Sequence, residues 1–257
     1  CKSPMEMEGA IIKTYYAQKA GIDPSSIVVV AVMPCTSKKF EAQRPEMEVN
    51  GLRAVDISLT TRELARMIHD ARIDFVRLPD EECFDELVAQ STGAAPIFGA
   101  TGGVMEAALR TAADVLEKRS VENVEYHEVR GLAGIKEATF TLGGKELKVA
   151  VASSTGAAKE LIQRIKAGDA SYAFVEVMAC PGGCVNGGGQ PIVSAYKRMD
   201  LDPREKRAAG LYAEDESKVI RKSHENPDIK KLYEEFLGKP NSHLAHRLLH
   251  TEYTDRS

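Results

Sequence analysis

Three cysteines lie where thiols could bind a metal. Cys35 follows an apolar run at residues 27–32, and Cys180 and Cys184 follow a second apolar run at residues 172–178. In open α/β sheets, ligands bind outside the carboxyl ends of strands, so thiols from distant segments can meet there. Thiolates bind soft metals, and the bare amides of glycines 187–189 suit a centre that carries negative charge. We therefore expect the three cysteines to be metal ligands.

The spacing of the cysteines favours an iron–sulfur cluster over structural zinc. Structural zinc is usually held by four ligands in closely spaced pairs. Here three residues separate Cys180 from Cys184, whereas Cys35 lies 145 positions before Cys180. Iron–sulfur clusters accept such dispersed thiolates. Structural zinc and ordinary buried thiols remain the alternatives.

Lys38 and Glu41 follow Cys35 closely enough to act in the same site. Lys38 could donate a hydrogen bond to an anionic ligand, and Glu41, one helical turn later, could relay protons. Both residues are equally compatible with a solvated helix surface, which is the usual place for lysine. The residues alone leave both interpretations open.

A glycine-rich turn and a histidine group suggest other chemistry less strongly. Residues 99–103 precede a helix, as in a dinucleotide-binding motif, but no clear strand comes before them, so we interpret them as a turn that lines a pocket. His243, His246 and His250 could share a helix face; without a matching carboxylate or cysteine, a polar or packed face is the preferred interpretation. Cys83, in an acidic stretch, is interpreted as an incidental thiol.

The hydrophobic pattern predicts strands that alternate with helices. The predicted strands are residues 27–32, 54–59, 124–130, 137–142, 146–152 and 172–178; the predicted helices are residues 4–20, 60–69, 104–119, 153–166, 227–237 and a last one after Ser242. Ser3 with Glu6, and Thr60 with Glu63, fit the capping-box pattern. Residues 143–144, Gly-Gly, predict a hairpin.

These elements predict a two-lobed α/β sandwich with mostly parallel sheets flanked by helices, plus a C-terminal helical arm. Both apolar runs before the cysteines are predicted to be buried strands. Residues 197–207 are interpreted as a charged linker, although an acidic electron carrier could dock on their basic side chains, which are Lys197, Arg198, Arg204, Lys206 and Arg207.

Composition excludes several classes of protein. A net charge of −4 gives no electrostatic case for nucleic acid. No apolar run approaches the roughly 20 residues that span a bilayer. Five unevenly spaced cysteines argue against a disulfide scaffold and for a reducing compartment. We therefore expect a cytoplasmic protein that neither binds nucleic acid nor inserts into a membrane.

Taken together, the segments around the cysteines resemble the second and third signatures of the iron-only (di-iron) hydrogenases. The second is Met-Pro-Cys-Thr-Ser-Lys-Lys-Phe-Glu at residues 33–41, and the third is Glu-Val-Met-Ala-Cys-Pro-Gly-Gly-Cys-Val-Asn-Gly-Gly-Gly-Gln-Pro at residues 176–191. The likeness continues through residues 98–107 and 220–227, so it covers essentially the whole chain. It implies two α/β lobes with the active cluster between them.

The resemblance also implies roles for individual residues. Cys35 and Cys180 would ligate a four-iron cubane, and Cys184 would bridge the cubane to a di-iron unit with carbon monoxide, cyanide and a dithiolate, the H-cluster. Lys38 would hydrogen-bond a cyanide, and Glu41 would stand on the proton path. The residues expected to line the cofactor cavity are Ser3, Pro4, Met33, Phe98 and Met178.

The family's first signature, Thr-Ser-Cys-Cys-Pro, is absent from this chain and would lie upstream of Cys1. It supplies the fourth cubane ligand and a proton-relay cysteine, so we expect a fragment of a longer hydrogenase that is inactive alone. The family's usual glutamine after Ser-Pro is Met5 here. Residues 1–200 would form the truncated catalytic domain, and residues 201–257 a small-subunit-like segment.

The implied reaction is reversible oxidation of molecular hydrogen to protons and electrons. The expected partners are ferredoxin or the subunits of an electron-bifurcating complex, and maturases that supply the cluster. A second hypothesis is a non-catalytic iron–sulfur relative that acts in cluster assembly or hydrogen sensing. A nucleotide-binding dehydrogenase that rests on residues 99–103 is the weakest of the three.

Overall fold

The computed structural model of the chain describes residues 1–79 and 90–255. The chain divides into two compact units. Unit 1 comprises Cys1–Ala89, Gly188–Pro191 and Asp228–Ser257, and unit 2 comprises Gln90–Gly187 and Ile192–Pro227. Cys83 and the acidic stretch around it lie outside the described residues.

Unit 1 is built around a short parallel strand pair. Its elements are α1 (Pro4–Ile11), α2 (Ala17–Ala20), β1 (Val30–Met33), α3 (Ser37–Glu41), β2 (Glu48–Val49), β3 (Leu52–Arg53), β4 (Ile57–Thr60) and α4 (Thr61–Asp70), with α9 (Pro227–Leu232) and α10 (His243–Leu249) from the tail. Strands β1 and β4 pair in parallel from Val30↔Ile57 to Met33↔Thr60, and β2 pairs with β3 antiparallel. A π-helical segment joins α1 to α2, and another follows α9.

Unit 2 is built on a three-stranded sheet in the order β5-β6-β7. Its elements are α5 (Gly103–Glu117), β5 (Ile135–Leu142), β6 (Lys145–Ser153), α6 (Thr155–Ala167), β7 (Phe174–Met178), α7 (Ala195–Asp200) and α8 (Pro203–Ser217). Strands β5 and β6 form the predicted hairpin; Gly143 and Gly144 turn at φ 56° and 72°, as a two-residue hairpin loop requires. Strands β6 and β7 pair in parallel.

The α/β fold class predicted from the sequence is confirmed, because helices alternate with strands and each unit contains a parallel pair. The prediction that the strands before the cysteines are buried is wrong. On β1, Val30 and Val32 are 48% and 43% exposed, and on β7, Phe174 and Val177 are 45% and 52% exposed. One face of each strand packs inward, so among the described residues each apolar run forms a strand that is covered on one face only.

The predicted strand at residues 124–130 is also wrong, since the segment contains a 3-10 turn at His127–Val129. Tyr126 and Val129, three positions apart, both enter the core formed by α5 and the β5–β6 hairpin. A spacing of three places both side chains on one side of a turn, whereas a strand would place them on opposite faces.

The predicted linker at residues 197–207 instead forms α7 and the first part of α8. Ser194 caps α7 by accepting a hydrogen bond from Lys197 N. Asp202 caps α8, and Pro203 occupies the first helical position. The linker prediction followed the charged composition of the segment and did not take these two helix-capping residues into account.

The tail belongs to both units. Segment 192–227 lies in unit 2, and α9 and α10 lie in unit 1 with the predicted cap at Ser242. The buried residues that α9, the following π-helical segment and α10 contribute are Leu232, Leu237, Ala245 and Leu248, which share one core with Ala10, Ile11, Val49 and Ala54. These tail helices are therefore part of the core of unit 1. None of the described helices is long and apolar enough to cross a membrane.

Candidate functional site

Cys35 lies in unit 1 in the turn between β1 and α3, directly after the strand, as predicted. Gly189 packs against this turn and donates a backbone hydrogen bond to Pro34 O at 3.1 Å. A Cβ atom on Gly189 would lie 2.7 Å from Cys35 N, and one on Gly188 would lie 3.1 Å from Thr36 Oγ1. The close approach of the two backbones at Cys35 therefore requires glycine.

Arg62, the second residue of α4, holds this glycine segment in place. Its guanidinium donates hydrogen bonds to Gly188 O at 2.8 Å and to Gln190 O at 3.1 Å. In this way Arg62 ties the end of the third signature to the helix that follows β4. Arg62 could not be identified from the sequence, because an arginine in the first turn of a helix carries no local signal of such a contact.

Lys38 and Glu41 form a half-buried ion pair on α3, with their side chains 23% and 18% exposed. Both side chains are largely buried, and Glu41 also lines an open cleft. Lys39, the neighbour of Lys38, instead pairs with Glu63 at 2.8 Å and is 39% exposed. Two adjacent lysines thus have different environments, and the pair with Glu41 fixes the side chain of Lys38 on α3.

The expected cavity residues of unit 1 have mixed environments. Met33 packs against the hydrophobic cluster of Met5, Ala42 and Val55, so Met5 is part of an apolar core. Pro4, at the start of α1, is exposed. Ser3 Oγ is buried and has no hydrogen-bond partner among the described residues.

The capping box predicted at Ser3 is wrong. Ser3 makes no side-chain cap, and both carboxylate oxygens of Glu6 are buried without a partner among the described residues. The box predicted at Thr60 and Glu63 is confirmed, with both reciprocal hydrogen bonds present. The sequence pattern is the same at both sites. The box at Ser3 does not form because Glu6 is buried in unit 1 and its carboxylate accepts no hydrogen bond from the start of its helix.

Cys180 and Cys184 lie in unit 2 in the turn that follows β7, and both are partly buried. Gly182 N donates to Ser153 Oγ at 2.8 Å, and Thr101 N donates to Gly182 O at 3.1 Å. Gly183 has φ 96°, and a Cβ atom there would lie 2.7 Å from Thr101 N and 2.8 Å from Gly99 O. The cysteine turn is thus fixed against residues 99–101.

That contact brings two predicted parts of the site together. Phe98 belongs to the 3-10 segment Pro96–Gly99, which packs on the cysteine turn, and Met178 ends β7 just before it. Both side chains are partly buried. Unit 2 therefore contains Phe98, Met178, Cys180 and Cys184, whereas unit 1 contains Ser3, Pro4, Met33, Cys35, Lys38 and Glu41.

Glu176, the only charge on β7, caps the helix that follows residues 99–103. Its carboxylate accepts hydrogen bonds from Gly102 N at 2.6 Å and Met105 N at 2.7 Å. Burial raises the pKa of Glu176, and these backbone hydrogen bonds oppose that rise. A dinucleotide would need these amides for its pyrophosphate, so Glu176 occupies the position that the dehydrogenase hypothesis required.

The histidine group, and a second group of residues that could bind a metal, have contacts typical of structural roles. The rings of His246 and His250 stack at 4.3 Å between centroids. Within the described part of the chain, one group has metal-ligand spacing, Asp114, His224 and Glu225. Lys222 Nζ donates to both Asp114 oxygens, at 2.9 and 2.8 Å, so an ammonium already supplies the positive charge there.

The chain is thus an α/β protein that carries cysteines in the turns after its parallel strands, and glycines pack closely against these turns. Residues 1–188 match the family described as iron only hydrogenase large subunit, C-terminal domain, and residues 201–256 match iron hydrogenase small subunit. The chain belongs to the iron-only hydrogenase family.

Known proteins of three kinds resemble the chain. NADP-reducing hydrogenase subunit HndD of Solidesulfovibrio fructosivorans is 53% identical over 255 residues, which is 99% of this chain and 43% of that protein. Cytosolic iron-sulfur assembly component 3 of Mus musculus is 34% identical over 98% of this chain and 52% of its own length. A solved structure of FeFe-hydrogenase HydA1 from Chlamydomonas reinhardtii has a TM-score of 0.82 and 40% identity and covers 98% of this chain and 69% of that one. The chain spans about half the length of the curated relatives it matches.

Proposed function

We propose that the intact protein catalyses the reversible oxidation of molecular hydrogen and that this chain supplies three thiolate ligands of its H-cluster. The observation that carries the proposal is the backbone packing around the cysteines. Gly189 closes on Cys35, and Gly183 closes on residues 99–101. Both glycines belong to the third hydrogenase signature, and glycine permits backbones to approach this closely, which supports the proposal.

The residues fit such a cluster in their donor chemistry. None of the described cysteines, Cys1, Cys35, Cys180 and Cys184, forms a disulfide, so the thiols can serve as ligands. Cys35, Cys180 and Cys184 would hold the iron. Ser3, whose buried Oγ lacks a partner among the described residues, offers a polar contact to a bound group. Met33, Phe98 and Met178 would supply apolar surface that excludes water.

When bound, the cluster supplies the iron chemistry of hydrogen and the transfer of electrons. The side chains would orient the cluster and exchange protons. Lys38, held by Glu41 on α3, would donate a hydrogen bond to an anionic cluster ligand, which burial strengthens. Glu41 would accept and release protons beside it. Ferredoxin or partner subunits would exchange electrons, and maturases would load the cluster.

The proposal extends to the organisation of the intact protein. Residues 1–200 would form the catalytic domain and residues 201–257 the small-subunit-like segment, and the protein would work in the cytoplasm. The family matches at residues 1–188 and 201–256 support that division.

Adjacent lysines provide the test. In the full-length protein treated with maturases, we expect Lys38→Ala to lower hydrogen evolution at least about tenfold, because a buried charge-assisted hydrogen bond is worth roughly 1.5–3 kcal/mol. Lys39→Ala, which removes an exposed ion pair, should leave the rate nearly unchanged. Infrared bands of iron-bound cyanide and carbon monoxide should weaken or shift in Lys38→Ala alone. Equal effects of both variants, or absence of these bands from the wild type, would refute the proposal.

A non-catalytic role in iron–sulfur assembly is the second candidate. The 34% identity to Cytosolic iron-sulfur assembly component 3 over nearly the whole chain favours it. A protein of this kind would hold iron–sulfur clusters without the di-iron unit. Iron analysis together with infrared spectroscopy distinguishes the two, since only the hydrogenase shows cyanide and carbon monoxide bands.

A further inference from the structure

Glu6 is a buried acid for which the hydrogenase signatures give no role. It lies on α1, one helical turn after Ser3, and its side chain is fully buried in unit 1. Neither carboxylate oxygen has a hydrogen-bond partner among the described residues. An ionised carboxylate in such a position is costly, because burial without hydrogen bonds penalises charge heavily.

The charges around Glu6 come from three neighbouring segments. Lys2 precedes α1, Lys38 and Glu41 lie on α3, and Arg44 follows α3. Burial, followed by repulsion from Glu41, raises the pKa of Glu6 to about 7, and attraction to the three cations only partly opposes this. Glu6 is therefore protonated in a large fraction of molecules at neutral pH.

Glu41, whose charge repels that of Glu6, lies at the edge of a cleft. Its side chain is 18% exposed. It lines an open cleft of about 540 Å³ together with Ser37, Phe40, Arg44 and residues 253–255. A cleft of this size admits several water molecules beside the Glu41 carboxylate. Met5 and Ala42, the sequence neighbours of Glu6 and Glu41, belong to one apolar cluster, so a protonatable group that is closed to solvent lies near one that reaches solvent.

We propose that Glu6 is a proton-holding group behind the Lys38–Glu41 pair and that Glu41 exchanges this proton with water in the cleft. The carboxylic acid of Glu6 gives its proton, through an intervening water molecule, to the carboxylate of Glu41. Glu6 then carries the negative charge, stabilised by Lys2, Lys38 and Arg44, until it is reprotonated. This role rests on the proposed hydrogen chemistry, which needs proton exchange beside Lys38.

The test follows the protonated carboxyl group by infrared spectroscopy in the cluster-free full-length protein. We expect a carboxylic-acid carbonyl band with a midpoint near the Glu6 pKa of about 7, absent from Glu6→Gln. In Glu41→Gln the midpoint should move to lower pH, because a repelling negative charge is gone. Glu63→Gln is the matched control: Glu63 occupies the same sequence pattern, but its pKa of about 2 keeps it ionised throughout, so the band should not change.

Two outcomes would overturn the inference. If the titrating band persists in Glu6→Gln, Glu6 does not hold the proton; if Glu41→Gln leaves the midpoint unchanged, the two carboxyl groups are not coupled. In the cluster-loaded full-length protein, Glu6→Gln should lower hydrogen turnover by about tenfold, and an unchanged rate would refute the relay. Failure of the proposed function removes turnover in the wild type but leaves the titration intact, so the two failures are distinguishable.

Discussion

Glu6 and Glu63 show how the same residue type in the same pattern acquires opposite properties. A hydrogen bond from Lys39, followed by those from Thr60, lowers the pKa of Glu63 to about 2. Burial raises that of Glu6 to about 7. The carboxyl of Glu63 reaches the donors of its own helix end, whereas that of Glu6 reaches none among the described residues. The partners of each side chain, set by the fold, decide its chemistry.

This difference predicts opposite pH dependences of stability. The folded-state pKa of Glu63 lies below its ordinary value of 4.5, so its stabilisation is complete above about pH 5 and is lost as pH falls toward 2. We expect the stability advantage of wild type over Glu63→Gln to shrink on acidification, although glutamine can still complete a capping box. Urea unfolding at pH 3 to 8 measures this difference.

Glu6→Gln should behave in the opposite way. Because the folded-state pKa of Glu6 is raised, the wild type loses stability as pH rises from about 4.5 to about 7, and glutamine does not. The stability of Glu6→Gln relative to the wild type should therefore increase over that pH range. Parallel pH profiles for the two variants would contradict the assignment of both carboxyl groups.

At the scale of elements, a buried ion network fixes α8 to α5. Arg110 on α5 is fully buried and donates to Asp215 Oδ1 and Oδ2 on α8, at 2.8 and 2.7 Å, and to Glu106 at 2.9 Å. Arg221 also donates to Asp215 Oδ2, at 2.6 Å. Burial alone would raise the pKa of Asp215, but these hydrogen bonds lower it. Asp215 thus links α8 both to α5 and to Arg221.

Removal of this carboxylate should destabilise unit 2. We expect Asp215→Ala to cost about 3–5 kcal/mol, because it leaves the buried Arg110 guanidinium without its main partner. Asp200→Ala, at the exposed end of α7, is the control and should change stability by less than about 0.5 kcal/mol. Urea unfolding followed by circular dichroism compares the two. A cost below about 1 kcal/mol for Asp215→Ala would show that the network is not required.

Local signals in the sequence predicted elements well where one segment contained all the information. The hairpin at Gly143 and Gly144, the Thr60 capping box and α5 follow from patterns that involve only neighbouring residues. The predictions that were wrong depended on distant partners. The segment around Tyr126 became a turn because two of its side chains share a core formed by other elements.

In the candidate site, too, features that depend on distant residues could not be predicted from the sequence. The positions of Cys35, Cys180 and Cys184 after strands could be predicted, because each lies within a few residues of the end of an apolar run. The contacts of Arg62 with Gly188 and Gln190 could not, since they join residues about 126 positions apart. Nor could the isolation of Glu6, which depends on the absence of donors from every described element around it.

At the scale of the whole molecule, segments of the tail pack within both units. In unit 2, Leu211 of α8 approaches Gly99 closely enough that a Cβ atom there would lie 2.6 Å from its Cδ1. In unit 1, α9, the following π-helical segment and α10 contribute half of the buried residues of one core. The matched small-subunit segment at residues 201–256 therefore contributes to the folding of the region that contains Cys35 as well as to unit 2.

Leu248 tests this contribution of α10. It is 2% exposed and packs in the core of unit 1 with Ala10, Ile11 and Leu237, so Leu248→Ala should cost about 2–5 kcal/mol. Because that core lies within unit 1, amide hydrogen exchange should accelerate by roughly 30-fold or more in α1 and β4 and much less in β5 and β6. The exposed neighbour Arg247, replaced by alanine, should leave both sets of amides nearly unchanged. If α10 were only a peripheral arm, Leu248→Ala would accelerate exchange within α10 alone, and α1 would keep its protection.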